Sequence, residues 1–211
     1  MKKLNFLSLL LIANFIFIGC SSDDDICPIT QTDEGVVINN IRWATRNVAA
    51  PGTFTANPED AGMFFQWNRR RGWAITGIVT GWDDSTPTGT EWERRNDPCP
   101  PGWRVPTSGE LNSLIIAANS RLITRYGVSG HLLGSAPNQI FLPAVNVRSD
   151  DGSDDDGSAI VVDIGSYWSS TQAPGSGNRD NAQSLLLLSD VQTIIRPAPR
   201  MIGMSIRCVA R

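Results

Sequence analysis

Residues 97–114 read DPCPPGWRVPTSGELNSL and direct the chain through the middle of the molecule. Prolines at positions 98, 100 and 101 restrict φ and push the residues before them toward extended conformations. The backbone around Cys99 is therefore not helical. Trp103 follows directly, and we expect its ring to help close a hydrophobic core.

A helix is predicted immediately after this rigid path. Thr107 and Glu110 have the spacing of a capping box, in which each side chain accepts a hydrogen bond from the other residue's backbone N–H. The helix should therefore begin at Ser108. Its apolar positions recur with a 3.6-residue period, which indicates one buried face: Leu111, Leu114, Ile115 and Ala118.

The first 19 residues have the pattern of a signal peptide. Lys2 and Lys3 precede an apolar run from Leu4 to Ile18, which is shorter than the ~20 residues of a membrane-spanning helix. Residues 17–20, FIGC, are similar to a bacterial lipobox, which predicts cleavage before Cys20 and lipidation of that cysteine. An ordinary secretory signal with a chance cysteine is the alternative.

Residues 20–35 are predicted to form an acidic, flexible tether. The run SSDDD at 21–25 cannot bury apolar area, so it should stay extended and solvated. It also resembles the acidic export signal that sends some lipoproteins to the outer face of the outer membrane. A spacer without address value is the alternative. We expect a lipid-anchored, surface-exposed protein of the outer membrane, with the periplasmic face as the alternative location.

The charge of the chain excludes nucleic acid as a partner. Cleavage after residue 19 removes two lysines and moves the formal net charge from −3 to −5. Binding to phosphates needs clustered lysine and arginine. The basic run Arg69-Arg70-Arg71 is interpreted as the solvated end of a helix, where cations oppose the carbonyl dipole.

The four cysteines of an exported chain indicate disulfide bonding. Cys20 is assigned to the lipid, which leaves three. We expect Cys99 to pair with Cys208, which leaves Cys27 over in the predicted tether. Cys27 is then free or transiently paired.

Further elements are predicted from local patterns. Residues 36–44 read as a hairpin turning at Asn39-Asn40, and Asn57 with Pro58 indicates a helix running to about Trp67. Residues 127–134 are assigned as a connector, which contains the single histidine, His131. Runs of β-type residues are predicted at 139–145, 161–164, 184–188, 191–195 and 204–209.

Two loop regions carry candidate ligand-binding residues. Trp82 and Trp92 lie in the irregular stretch 72–98, where aromatic faces would suit stacking on sugars or would pin the loop to the body. Asp154 and Asp156 lie in an aspartate-rich run at 148–158. They alternate as calcium ligands do, although the full calcium-loop spacing is absent, and a solvated hairpin tip is the alternative. No other cofactor is predicted.

Three sets of stretches in fixed order resemble the Fibrobacter succinogenes major paralogous domain family. They are WATRNV at 43–48 with PEDAGMFFQW at 58–67, CPPGWRVPT at 99–107, and YWSST at 167–171 with SIRCV at 205–209. The likeness covers residues 36–211. It implies a C-type-lectin-like α+β fold with two helices, small antiparallel sheets and long irregular loops.

The resemblance carries over no settled activity. The Glu-Pro-Asn and Gln-Pro-Asp triplets of calcium-dependent lectins are absent, and Cys99 and Cys208 match structural positions rather than an oxidase cysteine pair. We expect a non-catalytic module that binds a glycan or a protein at the cell surface. A structural part of a surface adhesin or envelope complex is the alternative. A hydrolase using Glu59 with Asp60, or Glu91 with Glu93, is less well supported.

Overall fold

The computed structural model describes residues 32–117, 120–148, 164–175, 177, 179–188 and 193–211. These residues form short antiparallel strands and one α-helix. The strands are β1 (Val36–Ile38), β2 (Ile41–Asn47), β3 (Phe64–Phe65), β4 (Gly72–Trp73), β5 (Trp103–Arg104), β6 (Arg121–Arg125), β7 (Val128–Ser135), β8 (Asn138–Pro143), β9 (Gly165–Gln172), β10 (Asn181–Leu187), β11 (Thr193–Pro199) and β12 (Arg207–Ala210). Helix α1 spans Ser108–Ala117, and a 3₁₀ turn spans Arg94–Asn96.

In this part of the chain the strands form four small sheets, in the orders β1-β2-β12-β5, β6-β7-β8, β11-β10-β9 and β3-β4. The last strand, β12, is inserted between β2 and β5. Single bridges join Met204 to Phe65 and Ser205 to Tyr167, so the segment before β12 connects three of the sheets.

The predicted C-type-lectin-like α+β fold with two helices is wrong, because β-strands are the predominant regular structure of the described residues, which contain a single α-helix. The helix predicted from Asn57 to about Trp67 is absent. Asn57 to Asp60 instead closes as one turn, in which Asp60 N donates to the Asn57 carbonyl at 3.2 Å. The chain then extends into β3.

Two features explain why no helix forms there. Gly62 has φ +78°, outside the right-handed helical region, and a Cβ at this position would lie 2.1 Å from the Val48 carbonyl oxygen. Residues 64–68 are also buried without interruption, whereas an amphipathic helix would alternate buried and exposed residues. Contacts with β2 and β4 therefore override the local helix-start signal.

Other predicted elements are confirmed. Helix α1 begins at Ser108, and its capping box is formed: Thr107 N donates to Glu110 at 2.7 Å, and Glu110 N donates to the Thr107 hydroxyl at 3.2 Å. Strands β1 and β2 form the predicted hairpin, with positive φ at both turn residues, Asn39 and Asn40.

The connector predicted at 127–134 is wrong, because these residues form most of β7.

The core divides into two clusters of buried side chains. One surrounds Trp67 and Trp168, and the other lies beneath α1 and includes Trp43. The fully buried Arg207 donates to Asn47 Oδ1 at 2.9 Å and to the carbonyls of Ala44 and Phe141. Burial lowers the pKa of this guanidinium to about 10. Its hydrogen bonds tie β12 to β2 and β8.

The predicted disulfide between Cys99 and Cys208 is present and links the start of the central stretch to β12. Both cysteines lie in the cluster around Trp67. No helix in the described ranges is long and apolar enough to cross a membrane.

Candidate functional site

A cleft of about 500 Å³ opens between the turn at 57–60 and the tip of the β6–β7 hairpin. We call it the hairpin cleft. Its lining is contributed by both walls: Asn57, Pro58, Glu59, Asp60, Arg125, Tyr126 and Val128. It combines carboxylates, a guanidinium and an aromatic ring with the apolar side chains of Pro58 and Val128.

The first wall is held in place by strand β2. Arg46 donates to the Thr55 carbonyl at 3.1 Å, and the Thr55 hydroxyl donates to the Asn57 carbonyl at 2.9 Å. On the far side of the turn, Asn47 donates to the Ala61 carbonyl at 3.0 Å. Both ends of the wall are thus fixed to adjacent residues of one strand.

The second wall is a two-residue hairpin turn. Arg125 pairs with Val128, and both intervening residues, Tyr126 and Gly127, have positive φ, which a type I′ turn requires. The side chain of Tyr126 is 91% exposed. The Arg125 guanidinium packs over the Phe141 ring, 5.4 Å from its centre, so the hairpin tip rests on β8.

An ion pair joins the two walls. Arg125 Nε lies 3.0 Å from Glu59 Oε1, and Glu59 is only 9% exposed. The contact lacks hydrogen-bond alignment, and no described residue donates a hydrogen bond to Oε1. Asp60 accepts two hydrogen bonds at Oδ2, from the backbone N–H of Asn57 at 2.8 Å and from its amide at 3.3 Å. The cleft therefore keeps unused acceptors beside a cation.

The described lining of the hairpin cleft offers carboxylate, guanidinium, amide and phenol groups for hydrogen bonding. Its described lining contains no serine, threonine, cysteine or histidine, the residues that nucleophile–base pairs normally use. Across the described ranges, no three His, Cys, Asp or Glu side chains come together as metal ligands.

The structure gives Trp82 and Trp92 different surroundings, and neither lines the hairpin cleft. Trp92 is 8% exposed, donates to the Asn96 carbonyl at 2.9 Å and packs edge-on against Trp67. Trp82 is half-buried and lies against Trp73, with ring centres 4.9 Å apart. These contacts hold the long loop to the body, while a role in ligand binding stays a prediction.

The interpretation of Arg69, Arg70 and Arg71 as a solvated helix end is wrong, because no helix forms there. The three side chains instead organise the following loop. Arg69 forms an ion pair with Asp83, Arg70 donates to the Asp97 carbonyl at 2.7 Å, and Arg71 donates to the carbonyls of Thr80 and Gly81.

Several predicted site residues lie outside the described residues: Cys20, Cys27, Asp154 and Asp156. The single histidine, His131, is buried in β7, and its Nδ1 lies 2.9 Å from the Ser120 hydroxyl. Glu93 forms an ion pair with Arg95 at 2.7 Å, and Glu91 is exposed.

Arg125 and Tyr126 are not among the site residues predicted from the sequence. A usable signal exists, because Tyr126-Gly127 separates two β-prone runs and Gly readily adopts positive φ. That signal predicts the hairpin, but it does not show that the hairpin tip meets the turn at 57–60.

No protein family model, no curated protein and no solved structure matches this chain.

Proposed function

We propose that this protein is a lipid-anchored module of the bacterial cell envelope, which binds a glycan or a protein at the cell surface without catalysing a reaction. The observation that carries the proposal is the hairpin cleft. There Tyr126, 91% exposed, stands at the rim of a cavity that also holds Asp60 and Arg125. Exposed aromatic rings beside a few fixed polar groups are typical of recognition sites.

The envelope location is supported by the sequence at the amino end. A basic and apolar leader followed by FIGC at 17–20 favours cleavage and acylation at Cys20. The lipid would be the membrane contact, and the acidic run at 21–25 favours the outer face of the outer membrane. A disulfide suits an exported protein.

Membership in the Fibrobacter succinogenes major paralogous domain family is part of the proposal. Most of the motif residues supply the buried body, including Trp43, Trp168 and the disulfide. The stretch 58–67 also contributes three residues of one cleft wall. Members of such a family would share this body, while the hairpin tip would vary with the ligand.

Binding is a better account of the hairpin cleft than catalysis. Glu59 is engaged with Arg125, and Asp60 is hydrogen-bonded to Asn57, so both carboxylates have structural partners. A hydrolase would need a positioned nucleophile or two facing carboxylates with room for a water between them.

The proposal is tested with the full-length protein. Intact cells that produce it would be treated with protease, and the detergent-extracted protein would be applied to a glycan array and to envelope protein fractions. We expect proteolysis at the cell surface and binding that Tyr126→Ala abolishes. Ile116→Ala, a change at an exposed helix residue outside the cleft lining, should bind as wild type does. Protection from protease, or equal binding by both variants, would contradict the proposal.

A second candidate, a structural part of a surface assembly, is favoured by one observation. Ile78 is 97% exposed at the tip of a loop whose backbone is fixed by Arg148, which donates to the carbonyls of Ala74 and Gly77. An exposed isoleucine on a loop with a fixed backbone would fit an apolar pocket on a partner protein. Recovery of a stoichiometric complex that Ile78→Ser disrupts would favour this role over ligand binding.

A further inference from the structure

We infer that the hairpin cleft takes a neutral saccharide unit and does so without a metal ion. This inference rests on the proposed function, because it assigns the ligand class of the same site. It follows from the hydrogen-bonding capacity, charge and shape of the cleft walls.

The polar groups of the cleft match hydroxyl groups. Glu59 and Asp60 keep carboxylate oxygens to which no described residue donates, and Arg125 keeps guanidinium N–H groups beyond the one facing Glu59. A hydroxyl both donates and accepts, so neighbouring sugar hydroxyls would satisfy the acceptors and donors together. Glu59 is already nine-tenths buried, so water has poor access to its carboxylate. A hydroxyl of the ligand would therefore donate to an oxygen that is poorly hydrated in the free protein.

The charges in the cleft disfavour an anionic ligand. Two carboxylates and one guanidinium leave a formal charge of about −1, which repels carboxylated or sulfated sugars. The more buried carboxylate, Glu59, already has Arg125 as its counter-ion, and Asn57 donates twice to Asp60. Neither carboxylate is therefore a buried charge without a partner, which an ammonium group of a ligand would neutralise.

The aromatic ring supplies the apolar contact. Tyr126 projects from a turn rather than from a packed surface, so both faces of its ring are accessible at the rim of the cleft. A pyranose has one face made largely of C–H groups, which can stack on such a ring while its hydroxyls reach the carboxylates.

The walls suit a sugar better than an extended peptide. Peptides are commonly bound by strand addition, which needs a run of unpaired backbone groups along a sheet edge. The described lining comes from a four-residue turn and a hairpin tip, which offer side chains instead. The guanidinium 3.0 Å from Glu59 also opposes a calcium ion at the same carboxylate.

The test uses the full-length protein in detergent and titration calorimetry with defined probes. The neutral probes are maltohexaose, cellohexaose, xylohexaose and representatives of an array of neutral oligosaccharides. Hexagalacturonate and a glucosamine hexamer provide the anionic and cationic probes, and a library of unmodified peptides represents protein ligands.

We expect a neutral probe to bind equally with and without a metal chelator. Tyr126→Ala and Asp60→Ala should each weaken binding by at least about tenfold. Tyr126→Phe, which keeps the ring, should retain it, and Arg121→Ala, at the opposite end of β6, should leave it unchanged.

Two results would overturn the inference. Cleft-dependent binding confined to a charged probe or to peptides would refute the neutral saccharide while leaving the proposed binding function standing. Absence of any binding that depends on Tyr126 and Asp60 would refute both.

Discussion

Tyr126 holds a backbone conformation that tyrosine rarely adopts. Its φ is +46° at the first position of the β6–β7 turn, where asparagine or glycine is usual. A left-handed conformation costs a bulky L-residue about 1–2 kcal/mol. Such a cost at an exposed position is consistent with selection for the ring itself rather than for stability.

A substitution at Tyr126 can separate stability from binding. We predict that Tyr126→Asn raises the free energy of unfolding by about 1 kcal/mol, which raises Tm by about 2–4 °C, and abolishes ligand binding. Thermal denaturation and calorimetry measure the two effects, with Tyr126→Phe as the control that changes neither. A variant that loses both stability and binding would indicate that the tyrosine acts in folding.

Glu110 makes a second prediction at the scale of a residue. It accepts hydrogen bonds from Arg104 at 2.8 Å and from Thr107 N at 2.7 Å. Burial alone would raise the pKa of this carboxyl, but the hydrogen bonds and charge of its partners outweigh burial and hold the pKa below its ordinary value of 4.5. Its stabilising effect is therefore complete above the unfolded-state pKa and is lost as the pH falls through the folded-state pKa.

We predict that Glu110→Gln lowers Tm at pH 7 and that its difference from wild type shrinks as the pH falls below about 4.5. Thermal denaturation at intervals from neutral to strongly acidic pH measures this. A difference that stays constant across the acidic range would show that the carboxylate is not responsible.

At the scale of elements, the sequence correctly predicted those features that are held by hydrogen bonds between neighbouring residues. Thr107 and Glu110 satisfy each other within one turn, so the start of α1 could be predicted from the sequence. The signal at Asn57-Pro58 is ambiguous, because the same residue types begin a helix and close a β-turn. The choice depends on Gly62 packing against Val48, which lies in a different part of the chain.

Gly62 provides a direct test of that choice. In the turn, an added Cβ meets the Val48 carbonyl oxygen, so we predict that Gly62→Ala lowers the free energy of unfolding by more than about 2 kcal/mol. Within a helix, the same change would stabilise by about 1 kcal/mol. Gly109→Ala, inside α1 and with space around its Cβ position, is the matched control and should be neutral or stabilising. Chemical denaturation of the three proteins distinguishes the two cases.

The hairpin cleft could not be predicted from local patterns for a related reason. Its walls come from the turn at 57–60 and from residues 125–128, and each wall is an ordinary turn taken alone. They meet because β2 holds one wall and Phe141 of β8 supports the other. The sequence favours Trp82 and Trp92 as ligand-binding residues because tryptophan rings suit stacking on sugars. In the structure, both rings pack against other tryptophan rings.

At the scale of the whole molecule, β12 holds the sheets together through one covalent bond and one buried cation. The Cys99–Cys208 bond spans 109 residues, and Arg207 beside it reaches β2 and β8. A cross-link over such a loop is worth about 4–5 kcal/mol in the entropic account.

We predict that the double substitution of Cys99 and Cys208 by serine lowers the free energy of unfolding by about 4 kcal/mol and Tm by about 10 °C. The measurement is denaturation of the full-length protein, with reductant added to wild type as an independent route to the same state. A loss below about 1 kcal/mol would mean that the buried contacts of β12 suffice without the bond.

Hydrogen–deuterium exchange of the full-length protein, with and without the oligosaccharide that binds it most tightly, tests the central claim most directly. The hairpin cleft predicts slowed exchange at residues 57–60 and 125–128 and unchanged exchange at 77–82. Slowed exchange confined to the loop that carries Trp82, with no change at either wall of the cleft, would contradict it.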